Sequence, residues 1–388
     1  MAKKIHISLV GGQTLPVYVP LANDNTVSYD IIYLVYSKRT KGNAELVRDR
    51  VNELNSRARQ VELLEFEAVN INQINKDIAS LKSKIADEDE VWLNVSGGTK
   101  PWSILFYQAF ANREHTVCLY LDQNGYLWNM KEGKSRETTT HNVGFRVLFS
   151  LHRINATYTE FEAYTKEDSE CLDNLLELRE RIGSKLFYQL TEKVDSKDII
   201  RDGGWTLKKI NNKCYSFSDG YDEEKFMAPH IKDMLSNTGW FEYQSARLLS
   251  QWSQTKNIIM NVLFRGKGTR EEGNEVDIIV RTEKKYLFVE CKTFVAKPTD
   301  IDKFREVSGQ NGGIAVKRLL MINYKPRKPY GRQNEEAEKR WNIHQIVQEK
   351  CQRYNIPIFV MSEINKDEDS RKSFFQELDN YMAELNEK

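Results

Sequence analysis

Within the first 130 residues, short apolar runs alternate with helix-like stretches, and few folds accommodate that order. The runs are Ile5–Val10, Ile31–Tyr36, Val61–Phe66, Val91–Val95 and Val117–Leu121, with helical patterns at 43–55, 70–85 and 101–112. Strands joined through helices run parallel, and the helices cover the faces of the sheet, so the pattern predicts a Rossmann-like layer. Gln123-Asn124-Gly125 reads as a tight turn into a further strand, Tyr126–Met130. The pattern changes twice along the 388 residues, which sets three expected parts. Residues 1–150 form the parallel α/β domain, 151–235 an acidic connector, and 236–388 a second α/β domain.

An open parallel sheet binds ligands at the carboxyl edge of its strands. Three loops should meet there. After the fourth strand comes Asn94-Val95-Ser96-Gly97-Gly98-Thr99-Lys100-Pro101, in which Gly97 and Gly98 allow close approach and Pro101 suits a first helical turn. Free N–H groups at that helix start, with the Thr99 hydroxyl and the Lys100 cation, suit an anion. Gly11, Gln13 and Thr14 follow the first strand, and Ser37 and Lys38 the second. The spacing of a P-loop is missing, and ordinary helix capping is the competing explanation of the turn.

The C-terminal part reads α-β-β-β-α-β: a helix at 238–253, strands at 258–264, 276–281 and 286–291, a helix near 300–308 and a strand at 318–323. A long helix (334–353), a strand (356–361) and a final helix (370–385) follow. Residues two apart on a strand share a face, so Glu290 projects with Lys292, and Glu275 with Asp277. A hairpin brings Asp277 to Glu290, and paired carboxylates repel unless a cation neutralises them. Hard oxygen donors suit Mg²⁺ or Mn²⁺, and an ion so held activates water toward a phosphodiester. Lys292 would steady charge on the phosphate, while Glu242, in Gly239-Trp240-Phe241-Glu242-Tyr243, completes the group from a helix.

Residues 265–332 carry 16 basic against 9 acidic groups, an excess that suits a polyanionic partner beside those carboxylates. Within it, Arg265–Arg270 and Lys325–Arg332 are basic loops, the second with a Tyr able to stack on a base. No apolar run is long enough to span a membrane, and the N-terminus lacks the apolar core of a signal peptide. Five scattered cysteines without zinc spacing suit a reduced, cytoplasmic protein.

Glu242, Asn274-Glu275-Val276-Asp277 and Val289-Glu290-Cys291-Lys292 resemble the E…D…ExK signature of PD-(D/E)xK nucleases, with Val276 where Pro is usual. The resemblance implies that Asp277 and Glu290 bind metal, Lys292 is catalytic and Glu242 assists. The Ser-Gly-Gly-Thr-Lys turn and the Gln-Thr loop resemble a CARF domain, the CRISPR-associated Rossmann fold. Together the two halves look like CRISPR ancillary nucleases activated by cyclic oligoadenylate. That layout implies a homodimer binding cyclic tetra-adenylate across its two-fold axis, in type III CRISPR defence. It further implies non-specific cutting of DNA, RNA or both. A ligand-sensing regulator without cleavage, and a repair or restriction nuclease without a cyclic ligand, stay open at this stage.

Overall fold

The computed structural model describes residues 2–23, 27–54, 58–122, 124–138, 143–265, 274–312, 316–329 and 335–384. The alternating N-terminal pattern folds as expected into parallel strands β1 (Lys4–Val10), β2 (Tyr29–Tyr36), β3 (Ala58–Glu65), β4 (Glu90–Asn94) and β5 (Thr116–Leu121). An antiparallel extension, β6 (Tyr126–Asn129) and β7 (Lys134–Glu137), completes a sheet of order β3-β2-β1-β4-β5-β6-β7. Helices α1 (Leu15–Asn23), α2 (Lys41–Asn52), α3 (Ile71–Lys82) and α4 (Lys100–Phe110) connect the parallel strands. Because β1 lies between β2 and β4, the direction of winding reverses there, and the loops after β1 and β4 flank the crevice this leaves.

Helix α1 has no counterpart in the sequence reading. Its segment, Leu-Pro-Val-Tyr-Val-Pro-Leu-Ala-Asn, is apolar all round and holds Pro20, which cannot donate to the carbonyl of Pro16. That carbonyl instead accepts from the Asn94 side-chain amide at 3.1 Å. Eight of the nine residues are buried, so tertiary contact overrides a sequence with neither polar face nor intact ladder.

Residues 151–235, expected as a connector, hold regular structure of their own and lend one strand to the C-terminal sheet. After α5 (Phe145–Leu151), strand β8 (Asn155–Glu160) joins the C-terminal sheet as its edge. Two helices follow, α6 (Lys166–Ile182) and α7 (Ser184–Thr191), broken at Gly183, where φ is +86°. Four antiparallel strands follow: β9 (Ile199–Asp202), β10 (Trp205–Asn211), β11 (Cys214–Ser218) and β12 (Glu223–Met227). Asp202 and Trp205 pair at the end of the hairpin between β9 and β10.

The C-terminal part opens with α8 (Ile231–Leu235) and α9 (Gly239–Ser250). Strands β13 (Asn257–Arg265), β14 (Asn274–Arg281) and β15 (Tyr286–Lys292) are antiparallel. After α10 (Pro298–Gly312), strand β16 (Val316–Ile322) pairs parallel to β15. Helix α11 (Glu335–Arg353), strand β17 (Ile358–Val360), α12 (Met361–Ile364) and α13 (Glu368–Ala383) complete the chain, and the sheet order is β17-β16-β15-β14-β13-β8.

Alternation along these strands sorts their side chains into two cores. Ile278, Leu287, Val289 and Leu319 pack with Phe241 and Leu249 of α9 and Phe374 and Leu378 of α13. Ile279, Phe288 and Leu320 pack with α10, α11 and α5, and this second core runs on into α1 and α2. Phe145 and Phe149 of α5 meet Tyr286 and Phe264 at centroid distances of 6.0 and 5.5 Å. Thus α5 is wedged between the N-terminal layer and the C-terminal sheet.

Candidate functional site

Strand β14 runs into β15 with Ile278 opposite Val289, so Asp277 and Glu290 stand next along the ladder. The Cys291 N–H donates to Asp277 Oδ2 at 2.6 Å, which fixes that carboxylate across the strand pair. Lys292 Nζ lies 2.6 Å from Glu290 Oε1. Helix α9 brings Glu242 to the same place from outside the sheet, because Trp240, Phe241 and Tyr243 are anchored in the core around it. Glu242, Asp277, Cys291 and Lys292 line one cleft of about 460 Å³. Glu275 and Asn261 stand on its wall.

Electrostatics in the cleft follow from crowding acids away from water. Burial, then Glu275, pushes the Glu242 carboxyl up to about 8. Burial, then Glu290 and Glu242, raises Asp277 well above the usual carboxylate range. Glu290 is raised by burial too, with Lys292 opposing the shift. For Lys292, burial disfavours the charge, but Glu290 and Asp277 outweigh it and hold the ammonium above its ordinary value. Such a group of acids, each destabilised by the others, is a donor set short of positive charge. Among the described residues no three acidic, His or Cys side chains are drawn together tightly enough to hold a metal ion as they stand. The donor chemistry nonetheless fits a hard divalent cation: carboxylate oxygens from neighbouring strands, one of them already on a lysine cation.

Cys291 is buried, at the junction of the cleft and the core that packs under α9. Of the basic loops, Arg265 ends β13 and residues 325–329 are described, while 266–270 and 330–332 lie outside the described residues.

At the carboxyl edge of the N-terminal sheet the three expected loops do meet. A side chain on Gly11 would come within 2.8 Å of the Gly98 nitrogen, and one on Gly97 within 2.1 Å of the Leu9 carbonyl oxygen. Gly98 has φ +79°, a conformation that favours glycine. Asn43 donates its side-chain amide to the Gly11 carbonyl at 2.8 Å, tying the first loop to α2. Thr99 caps α4, its hydroxyl accepting from Trp102 N–H at 3.4 Å, and Pro101 sits in the first turn. Gln13, Lys38 and Lys100 are exposed at this edge. Two expected residues are turned inward instead. Thr14 is buried, and its hydroxyl donates to the Leu151 carbonyl at 2.7 Å. Ser37 is buried and donates its N–H to the Thr40 hydroxyl at 2.9 Å.

Residues 5–146 match the family model for the Card1 CARF domain. The N-terminal unit is a CARF domain. With that domain at its head, the whole chain is similar in fold to Can2 from Sulfobacillus thermosulfidooxidans, solved in complex with cyclic tetra-adenylate. The TM-score is 0.67 at 17% identity, over 98% of this chain and 100% of that one. It is also similar to VC1899 from Vibrio cholerae, with a TM-score of 0.68 at 16% identity, over 97% and 98% of the two chains. At these identities the likeness is one of fold. No curated protein sequence matches the chain.

Sequence reasoning missed residues that shape both sites. In the CARF domain, Asn94 is fully buried and its side-chain oxygen accepts from the Ser96 N–H and hydroxyl, at 3.0 and 2.6 Å, which sets the start of the glycine turn. A polar residue ending an apolar strand was the available signal. In the cleft, Asn261 has φ +53° at an irregularity of β13, between the pairs Met260–Ile278 and Val262–Val276, and so stands beside Asp277. Nothing in the local pattern marks it.

Proposed function

We propose that this chain is a cyclic tetra-adenylate-activated, metal-dependent nuclease of type III CRISPR defence, cutting DNA, RNA or both as a homodimer. One observation carries the reading: Glu242, Asp277 and Lys292 line one cleft, with Glu290 held on Lys292 beside it, in a chain that begins with a CARF domain. On this reading the E…D…ExK residues are those of a PD-(D/E)xK nuclease. Residues 1–150 sense the activator, 236–388 cut, and 151–235 link the two. The fold shared with Can2, whose solved complex contains cyclic tetra-adenylate, supports that ring as the activator. A ring of four identical nucleotides suits a two-fold dimer, since each subunit meets the same half of it.

The chemistry proposed is hydrolysis of a phosphodiester, with water attacking phosphorus and the opposite P–O bond breaking. Asp277 and Glu290 would hold Mn²⁺ or Mg²⁺, which supplies Lewis acidity toward the phosphate and toward the attacking water. Lys292 keeps its proton and offers N–H donors to the charge gathering on the phosphate oxygens. Glu242 faces the cleft with a carboxyl raised to about 8, placed to hold or pass a proton. At the sensor edge, Gly11, Gln13, Lys38, Gly97, Gly98, Thr99 and Lys100 present backbone N–H groups and cations to the ring's phosphates. Thr14 and Ser37 shape the loops from within.

The test is cleavage of labelled single- and double-stranded DNA and RNA in Mn²⁺ or Mg²⁺, with and without cyclic tetra-adenylate. The expected result is cutting that needs both ring and metal and vanishes with Glu290→Gln. Cutting indifferent to the ring, or none under any condition, overturns the reading.

A further inference from the structure

A second cavity, of about 440 Å³, shares Thr238, Thr293, Phe294 and Val295 with the carboxylate cleft, so the two are contiguous. That volume lies within the usual range of small-ligand sites. Its lining includes Arg179, Lys297, Lys325 and Arg340 and no acidic residue. Arg179 is only 6% exposed, yet it has no carboxylate at ion-pair distance among the described residues. Its guanidinium is sandwiched between the rings of Trp240, at 4.5 Å, and Tyr324, at 5.4 Å. Its one hydrogen bond among described residues is a long one to the Tyr324 hydroxyl at 3.4 Å. A guanidinium carries five N–H donors, and this one lines the cavity with a single long hydrogen bond among the described residues. At the mouth stand aromatic side chains without apolar cover. Phe294 is 51% and Tyr324 48% exposed, and Phe294 meets Tyr188 edge-on at 5.1 Å.

A buried, acid-free guanidinium costs free energy unless an anion or an array of acceptors meets it. Exposed rings beside a cationic cavity are the arrangement that stacks bases and follows a phosphate chain. We infer that this cavity is a nucleotide subsite, in which an unpaired base of the bound strand stacks on Phe294 and Tyr324 and Arg179 binds the adjoining phosphate or base edge. The shared wall then lays the neighbouring phosphate over Asp277 and Glu290. A base held in a duplex reaches the cavity only by leaving its stack, which costs a few kcal/mol. The subsite therefore favours unpaired nucleotides.

This inference rests on the nuclease reading for the meaning of the adjoining cleft, but its test is a binding measurement. The full chain, saturated with cyclic tetra-adenylate and in EDTA so that nothing is cut, is titrated into fluorescent oligo-dT, oligo-U and a blunt DNA duplex. Phe294 is exposed, so Phe294→Ala leaves the core untouched. The expected result is about tenfold weaker binding of both single strands by Phe294→Ala, the scale of one lost stacking contact, with duplex binding little changed. Arg179→Gln should weaken the same two titrations and flatten their salt dependence. Single-strand affinities of Phe294→Ala within twofold of wild type, or no binding of oligonucleotide by the wild type, overturn the subsite. If activated wild type with Mn²⁺ cuts nothing while Phe294→Ala still binds single strands more weakly, the nuclease reading fails and the subsite stands.

Discussion

Lys292 Nζ and Glu290 Oε1 lie 2.6 Å apart, so a lysine holds a carboxylate that a divalent ion would need. The pair is a local neutralisation of a cleft otherwise crowded with acids, and metal binding must compete with it. Replacing Glu290 by Gln or Asp277 by Asn removes a hard charged donor while leaving shape nearly intact. Each change should lower the cutting rate by about two to three orders of magnitude or more. Affinity for cyclic tetra-adenylate, measured by calorimetry, should not change. A Glu290→Gln protein that cuts at the wild-type rate removes these residues from the active site.

A pH dependence follows from Glu242. Its folded-state value of about 8 lies above the ordinary 4.5, so between those values the folded state holds a proton that the unfolded state has released. Stability is therefore lost as pH rises through that window, and the full penalty is present above it. Metal-free protein should melt at a lower temperature near pH 8.5 than near pH 5.5, and Glu242→Gln should flatten the difference. Because carboxylates must be deprotonated to ligate, Mn²⁺ should raise the melting temperature more at the higher pH. Differential scanning fluorimetry with and without Mn²⁺ reads all three. Equal metal-induced shifts at both pH values would contradict a carboxylate metal site.

Lys100 is exposed at the start of α4 and lines neither cleft nor cavity, so on the proposed reading its effect on cutting comes through the activator. An activator shifts the active population only by its differential affinity for that state. Lys100→Ala should therefore raise the ring concentration for half-maximal cutting, with the plateau rate close to wild type. Glu290→Gln should be low at every concentration. A Lys100→Ala titration that overlays the wild type would leave the glycine turn as a plain helix start.

Thr14 offers a control for the same site. Its hydroxyl is committed to the Leu151 carbonyl at the end of α5, so Thr14→Val leaves a buried acceptor without its partner. The cost should be about 1–3 kcal/mol of stability, read by denaturant unfolding. Ring affinity should change little. A variant with wild-type stability and weakened ring binding would show that Thr14 faces the ligand.

Much of this was legible in the chain itself. Strands β1 to β5 announce themselves as apolar runs, and helices between them force parallel pairing. Glu290 and Lys292 share a face by the two-residue period of a strand, and the turn at 282–285 folds Asp277 back toward them. Periodicity of this kind reports what one segment buries, which is local information. What only the tertiary structure decided is which distant group completes each segment. Helix α1 survives Pro20 because Asn94, seventy-eight positions from Pro16, supplies the missing donor. Strand β8, short and polar, is a strand because β13 offers it an open edge. Thr14 is turned inward because α5 ends beside it, and Arg179 is held between two rings that come from α9 and from the loop after β16. A partner across the fold leaves no mark on the periodicity of the segment it completes, so these positions became visible only once the sheets were closed.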